Sequence, residues 1–306
     1  MHKSVHTLIG GTPLFELTHE LIPADIRVIA KLEYMNPGGS IKDRLGMFLL
    51  KHAINNKYIT SKGTIIEPTA GNTGIALALA AIGTNVKVEC VIPEGFSREK
   101  QQLMQALGAT VHTTPNESGI EGAIAYAMKL TDEIPDSYSP CQFKNEQNPL
   151  TYYETLAPEI WSQLGGDIDV FVAGAGTGGT FTGTARYFKE KNSAIRTVVV
   201  EPEGSILNGG TPGPHRTEGI GMNQLSAVID PSLFDSIHTI SDREAFRMTQ
   251  QLASNVGLLV GSSSGAAFCA AIKEAQMAKK GATIVTIFPD GSERYLSTGI
   301  YEEEFR

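Results

Sequence analysis

Lys42 lies in the run Asn36-Pro37-Gly38-Gly39-Ser40-Ile41-Lys42-Asp43-Arg44. Proline fixes φ and the two glycines are free to take positive φ, so the run predicts a turn. A helix-competent, largely apolar stretch from Leu45 to Ala53 follows at once. That order places a lysine at the mouth of a helix. An amine held beside a helix N-terminus and shielded by apolar neighbours gives up its proton more readily, which is what a Schiff-base lysine needs. A lysine after a turn is, taken alone, most often a solvated surface residue. Its company changes the reading: two further glycine-rich loops and a serine cluster could supply the other parts of one cofactor site.

The first loop is Glu67-Pro68-Thr69-Ala70-Gly71-Asn72-Thr73-Gly74, after a strand and opening a helix. Backbone N–H groups at a helix start, with the Thr69 and Thr73 hydroxyls and the Asn72 amide, form a nest suited to a carboxylate such as that of an amino acid. The bland alternative is a turn in which Asn and Thr cap the helix. The second loop is Gly174-Ala175-Gly176-Thr177-Gly178-Gly179-Thr180, again between strand and helix. Its glycines let the backbone approach a phosphate, and Thr177 and Thr180 add hydroxyl donors. It also contains a literal G-x-G-x-x-G, with Glu201 ending the next strand where a ribose-binding acid of a dinucleotide fold would stand. Two points argue against a nicotinamide cofactor: such a fingerprint should open the first βαβ unit, and it would leave Lys42 without a task. The third element is Gly261-Ser262-Ser263-Ser264-Gly265-Ala266-Ala267, where a strand-like Leu258-Leu259-Val260 turns into a small-residue helix. These serines could cap the helix, or one hydroxyl could hydrogen-bond a heterocycle nitrogen.

The elements that must position these loops alternate along the chain. Strand-like Thr64–Ile66, Val86–Ile92 and Thr110–Thr113 are interleaved with helical stretches at Thr73–Ile82, Arg98–Leu107 and near Ile120–Leu130. The second half repeats the plan, with Val170–Ala173, Val198–Val200 and Ile284–Phe288 as strands and Phe181–Glu190 and Gly265–Ala278 as helices. Short continuous apolar strands separated by helices predict an α/β fold with parallel-rich sheets covered on both faces. The loop-rich stretch from Pro135 to Pro149 separates the two series, which suggests two lobes with a cleft between them. The extended N-terminal segment through Leu32 needs a sheet to join, so the expected division is residues 1–40 with 146–306 as the larger lobe and 41–145 as the smaller.

Composition narrows the function classes. The chain has 306 residues, 41% hydrophobic and 19% charged, with formal charge −8, so it carries no basic footprint for nucleic acid. Cys90, Cys141 and Cys269 are odd in number and widely spaced, which indicates neither a disulfide framework nor a zinc site; no metal is expected. Cys90 and Cys269 read as small core hydrophobes. Apolar runs such as Ile75–Ile82 are too short to cross a bilayer and the N-terminus lacks signal-peptide order, so no membrane association and a cytoplasmic location are expected.

Taken together, these residues resemble the fold-type II family of pyridoxal-phosphate enzymes, most closely the cysteine synthase and cystathionine β-synthase branch and its bacterial O-acetylserine-dependent members. The resemblance runs from Ile9-Gly10-Gly11-Thr12-Pro13-Leu14 through Pro93-Glu94, Gln142-Phe143, Pro158-Glu159-Ile160-Trp161 and Glu218-Gly219-Ile220-Gly221 to Arg294-Tyr295-Leu296-Ser297-Thr298. It implies a tryptophan synthase β-like fold, with pyridoxal 5'-phosphate bound by the larger lobe and the substrate-carboxylate loop on a smaller, mobile one. By resemblance, Lys42 is the Schiff-base lysine and the general base at Cα, and Asn72 touches the phenolic oxygen of the cofactor. Gly176, Thr177, Gly178, Gly179 and Thr180 cradle its phosphate, and Ser263 faces its pyridine nitrogen. Thr69, Asn72, Thr73 and Gln142 hold the substrate carboxylate, and Gly219 lines the substrate mouth.

The implied reaction is β-replacement on O-acetylserine or serine by sulfide or homocysteine, forming cysteine or cystathionine. A serine or threonine dehydratase, or a cysteine-consuming producer of hydrogen sulfide, is the alternative. The resemblance further implies a homodimer, and family members can dock the C-terminal tail of serine acetyltransferase. Two departures stand out. Ala70 occupies a position where cysteine synthases generally carry Ser, and Glu218 before Gly219 looks more like the cystathionine-forming enzymes.

Overall fold

A computed structural model of the chain describes residues 2–95 and 97–302. In chain order the strands are β1 (Leu14–Leu17), β2 (Arg27–Leu32), β3 (Thr64–Pro68), β4 (Lys87–Pro93), β5 (Thr110–Thr114), β6 (Ser137–Tyr138), β7 (Val170–Gly174), β8 (Arg196–Pro202), β9 (Ser236–Ile240) and β10 (Thr283–Phe288). The helices are α1 (Lys42–Asn55), α2 (Asn72–Ala81), α3 (Arg98–Ala106), α4 (Gly119–Glu133), α5 (Gln147–Glu154), α6 (Leu156–Gln163), α7 (Gly179–Lys191), α8 (Asp242–Gln251) and α9 (Ser262–Met277).

The chain forms two compact units, Met1–Ile9 with Asn36–Gln147, and Gly10–Met35 with Asn148–Arg306. The sequence reading groups all of residues 1–40 with the larger lobe, whereas residues 1–9 and 36–40 go with the smaller unit here. Local bonds explain the difference. The His6 imidazole hydrogen-bonds the Leu79 carbonyl of α2 at 3.0 Å, and the Gly38 N–H donates to the Asp43 carboxylate at 2.5 Å, which ties the turn to the head of α1.

The smaller unit holds a four-stranded sheet in the order β5-β4-β3-β6, every pair parallel. β3 is buried along its whole length, as a central strand covered on both faces must be. Ile66 and Val91 pack against Ala123, Ala127 and Leu130 of α4. Gly46 of α1 meets the Ala76 backbone of α2 so closely that an added Cβ would lie 2.5 Å from the Ala76 carbonyl carbon.

The larger unit holds a six-stranded sheet in the order β1-β2-β10-β7-β8-β9. β1 and β2 form an antiparallel pair, and the remaining neighbours are parallel. The extended N-terminal segment therefore completes a sheet whose other strands arrive more than a hundred residues later. α9 is buried along nearly all of its length, its small residues meeting the strands. Leu258–Val260, read as a strand from sequence, is not one: a π-turn at Leu252–Val256 and a left-handed Gly257 (φ 78°) precede it, leaving a single bridge from Val260 to Gly291. Cys90 and Cys269 are buried in the two cores. Among the described residues no helix is long and apolar enough to cross a membrane.

Candidate active site

Three helices begin in the same way. α2, α7 and α9 have glycine N-caps, Gly71, Gly178 and Gly261, which offer no side chain to the helix; in α7 the Gly179 N–H donates instead to Thr177 Oγ1 at 3.4 Å. By contrast, Ser97 caps α3, and Ser241 with Glu244 forms a capping box on α8. The serines of the third cluster thus do not cap α9, and the threonines of the first loop do not cap α2. Uncapped N–H groups at a helix start carry partial positive charge and suit an anion.

In the smaller unit, Lys42 is the first residue of α1, entered from a turn closed by the Gly39 N–H to Asn36 carbonyl bond (2.8 Å) with Gly39 left-handed at φ 78°. Its side chain is half-buried and its backbone N–H reaches Ser40 Oγ. Lys42 and Asn72 each precede the Gly46–Ala76 crossing by one helical turn, about 6 Å along the axis. Gly71 takes φ 136°, and a Cβ there would strike the Lys100 stem, so the loop is shaped around a bare backbone. Thr69 Oγ1 accepts from the Gly71 N–H at 2.9 Å, and Thr73 Oγ1 donates to Gln142 Oε1 at 2.8 Å. Thr69, Thr73 and Gln142 are buried, Asn72 is half-buried and Ala70 is exposed. Thr73 and Gln142, 69 positions apart, are thereby in direct contact.

Sequence reasoning gave no role to Glu67, the penultimate residue of β3 at the start of this loop, which is fully buried. Its carboxyl group accepts the Cys141 N–H at 2.9 Å and the Gln142 N–H at 3.0 Å. Burial pushes this carboxyl up from 4.5 to about 8, with the two N–H bonds pulling the other way. The folded chain therefore holds the proton more tightly than the unfolded chain. That contribution to stability is fully present below about 4.5 and is lost as pH rises through about 8. The urea midpoint is expected to fall between about pH 5 and about pH 9, and Glu67→Gln, which does not titrate, should flatten that fall.

In the larger unit, the loop after β7 carries Gly176 to Thr180 into α7. A Cβ on Gly176 would strike the Gly219 carbonyl oxygen, one on Gly179 would strike the Asn148 amide, and Gly178 is left-handed at φ 90°. Gly176 thus makes room for a backbone neighbour, and Gly178 and Gly179 for the Ile229 and Asn148 side chains. Asn148, at the start of the unit, donates to Thr177 Oγ1 at 2.9 Å, and the Gly221 N–H donates to the Ala175 carbonyl at 2.8 Å. Ser263 Oγ lies 3.9 Å from where a Cβ on Gly219 would stand, and Ser262 Oγ accepts the Glu218 N–H. Asp242, at the head of α8, accepts from the Arg216 and Thr217 N–H groups and fastens this loop from its other side. Gly176, Thr177, Gly219 and Ser263 are thus assembled by three helix starts and one strand end. Asn148 and Asp242 had no linear signal, and the serine cluster flagged Ser262 without its Glu218 partner, 44 positions away.

Glu201 sits at the end of β8, as the dinucleotide reading required, but both of its oxygens are engaged. They accept the Leu207 N–H at 2.8 Å, the Asn208 N–H at 3.0 Å and the Thr239 hydroxyl at 3.1 Å. It is a buried loop anchor. The glycine loop therefore lacks the acid that a ribose would need.

The smaller unit thus carries a lysine at a helix start and a glycine-capped loop at the head of the neighbouring helix. The larger unit carries a glycine loop and a serine, each at a helix head. The profile of the pyridoxal-phosphate dependent enzymes matches residues 5–290. The chain belongs to this family. It is 56% identical over 295 residues to the O-acetylserine dependent cystathionine beta-synthase of Bacillus subtilis (strain 168), covering 96% of each chain. It is 57% identical, again with 96% of each chain covered, to a cysteine synthase of Helicobacter pylori (strain ATCC 700392 / 26695). The crystal structure of the O-acetylserine dependent cystathionine beta-synthase from Helicobacter pylori superimposes with a TM-score of 0.94 at 56% identity, over 98% of this chain and 99% of that one. The two-sheet α/β architecture is therefore that of the pyridoxal-phosphate enzymes of fold type II.

Proposed function

We propose that this chain catalyses pyridoxal-phosphate-dependent β-replacement on O-acetylserine by a sulfur nucleophile, with sulfide giving cysteine and homocysteine giving cystathionine. The observation that carries this reading is the near full-length relationship, at 56–57% identity, to enzymes named for those two products. The described residues fit the cofactor. The glycine-rich start of α7, whose left-handed N-cap Gly178 has no side chain, suits a phosphate, and Ser263 at the head of α9 supplies a neutral hydroxyl.

When bound, the cofactor supplies an electron sink that acidifies the Cα–H of an attached amino acid and lets the β-substituent leave. Lys42 would hold it through Nζ, and the same amine would serve as the base that takes the Cα proton and returns it. Asn72 holds the phenolic oxygen. Gly176, Thr177, Gly178, Gly179 and Thr180 hold the phosphate through N–H and hydroxyl donors. Ser263 faces the pyridine nitrogen; a hydroxyl there, in place of an acid, leaves that nitrogen largely neutral and favours loss of the β-substituent over transamination. Thr69, Asn72, Thr73 and Gln142 bind the substrate carboxylate, and their loop keeps water from the reacting carbon. Gly219 lines the mouth through which the thiol enters.

The decisive measurement is product analysis with O-acetylserine or serine, each offered sulfide or homocysteine. Cysteine or cystathionine from O-acetylserine is the expected result. Pyruvate formed at the same rate without any thiol would make the chain a dehydratase. We propose further that the protein works in the cytoplasm as a homodimer. A peptide ending in a carboxylate, such as the tail of serine acetyltransferase, would present to the Thr69–Thr73 loop the same anion as the substrate.

Ala70 is the exposed member of that loop. Ala70→Ser restores one hydroxyl donor, with a net effect of about 0.5–1.5 kcal/mol, so amino-acid binding should tighten severalfold. It also turns the methyl group into a larger, polar hydroxymethyl, and the ratio of cystathionine to cysteine formation should fall. The check is kcat/KM for sulfide and for homocysteine at saturating O-acetylserine in both proteins. An unchanged ratio passes the thiol preference to Glu218 and its loop.

A further inference from the structure

We propose that Glu67 is a positioning residue for the substrate carboxylate: its carboxyl group clamps the Cys141–Gln142 backbone and thereby sets the Gln142 side chain against Thr73. The inference rests on the carboxylate-binding role given above to Thr69, Thr73 and Gln142.

Four observations within one unit carry it. Both Glu67 oxygens are engaged, each by one of two consecutive backbone N–H donors, Cys141 to Oε2 and Gln142 to Oε1. The residue is completely buried, where an acid is retained only when hydrogen bonds compensate its desolvation. Cys141 takes φ 48°, a left-handed conformation that L side chains rarely adopt and that persists only where the surroundings hold it. The residue after that strained one is Gln142, whose Oε1 accepts the Thr73 hydroxyl at 2.8 Å.

The topology makes the clamp effective. Glu67 is the penultimate residue of β3, and the chain runs directly from it through Pro68 to Thr69. A single strand end therefore supports both walls of the carboxylate site, one through the covalent chain and the other through the Cys141 and Gln142 N–H bonds. An aliphatic residue of similar size would fill the volume but leave two buried N–H groups without an acceptor. Gln142 would then be free to turn with its backbone, and Thr73 would lose the partner that orients its hydroxyl.

The test uses the holoenzyme and the variant Glu67→Gln. An amide accepts through one oxygen only and turns its NH2 group on the second backbone donor, so half of the clamp is lost with little change in volume. KM for O-acetylserine should rise roughly five- to tenfold while kcat at saturating substrate stays within about twofold. A role in folding alone would instead lower the fraction of active enzyme and leave KM unchanged. Because Glu67 acts through Gln142, the same substitution in a Gln142→Ala background should change KM by less than about twofold further. Full multiplication of the two effects, or an unchanged KM in folded Glu67→Gln holoenzyme, overturns the proposal. If Glu67→Gln does not fold, the cycle is run with Glu67→Asp, which keeps the acid and withdraws it by one methylene. Wild-type enzyme that binds pyridoxal phosphate but does not turn over O-acetylserine strikes the underlying reading, and the positioning role falls with it.

Discussion

Lys42→Ala protein is expected to lose turnover by at least roughly 10³-fold and to show no visible absorbance band after incubation with pyridoxal phosphate, while remaining folded. Wild-type protein should be yellow under the same conditions. The fold should survive because Lys42 opens α1 at a half-buried position, and alanine is the strongest helix former. Lys42 is not part of the apolar core of the smaller unit, which α1 enters through Leu45, Leu49, Leu50 and Ala53. The check is an absorbance spectrum, a circular-dichroism melt and an activity assay on the same preparations. A visible band with full turnover in Lys42→Ala would remove Lys42 from the chemistry, and colourless wild-type protein would remove the cofactor reading altogether.

Gly176→Ala should have the second largest effect, a loss of pyridoxal-phosphate affinity of about tenfold to a hundredfold. The added methyl group would meet the Gly219 carbonyl oxygen, which is backbone and cannot rotate away as a side chain would. The two loops must part, and overpacking of this kind typically costs about 1–3 kcal/mol. Gly219 also neighbours Ser263, so the displacement reaches the residue assigned to the pyridine nitrogen. Gly213→Ala is the control, since a Cβ there meets nothing closer than 3.7 Å. Titration of each variant with pyridoxal phosphate, followed by the visible band, distinguishes the two. Equal affinity in Gly176→Ala and Gly213→Ala would show that the cradle is not where the phosphate sits.

These two predictions differ in what they owe to the linear chain. The turn before Lys42, the helix after it and the glycines of the second loop are local features. Proline and glycine act on their own φ, and helical periodicity is set by neighbours within a few residues. For that reason α2, α3, α4, α7, α9 and the central strands β3, β4, β7, β8 and β10 were legible, as was the parallel-rich α/β class. The edge strand β5 was legible too, at Thr110–Thr113, from its β-branched run; the edge strands β1, β6 and β9 were not, because their short stretches become strands only through the neighbours they pair with. Leu258–Val260 failed in the opposite sense: its apolar, β-prone composition is real, but after a π-helical turn and a left-handed glycine it makes one isolated bridge, to Gly291, and joins no sheet.

By itself, the sequence determined which chemical groups this protein carries and in what local setting. A lysine stands at a helix mouth, helix starts are left uncapped by glycine, and a serine stands where an acid could have stood. Tertiary structure alone decided which of those groups meet. Thr73 bonds Gln142 across 69 positions, Gly176 meets Gly219, and Glu67 clamps the Cys141–Gln142 backbone from 74 and 75 positions away. The physical reason is burial. A polar group taken out of water must find a partner wherever the fold presents one, and sequence spacing does not constrain that partner's place in the chain. Glu67 and Glu201 illustrate the consequence: both are acids at strand ends in the sequence, and only their hydrogen bonds show that each anchors backbone N–H groups.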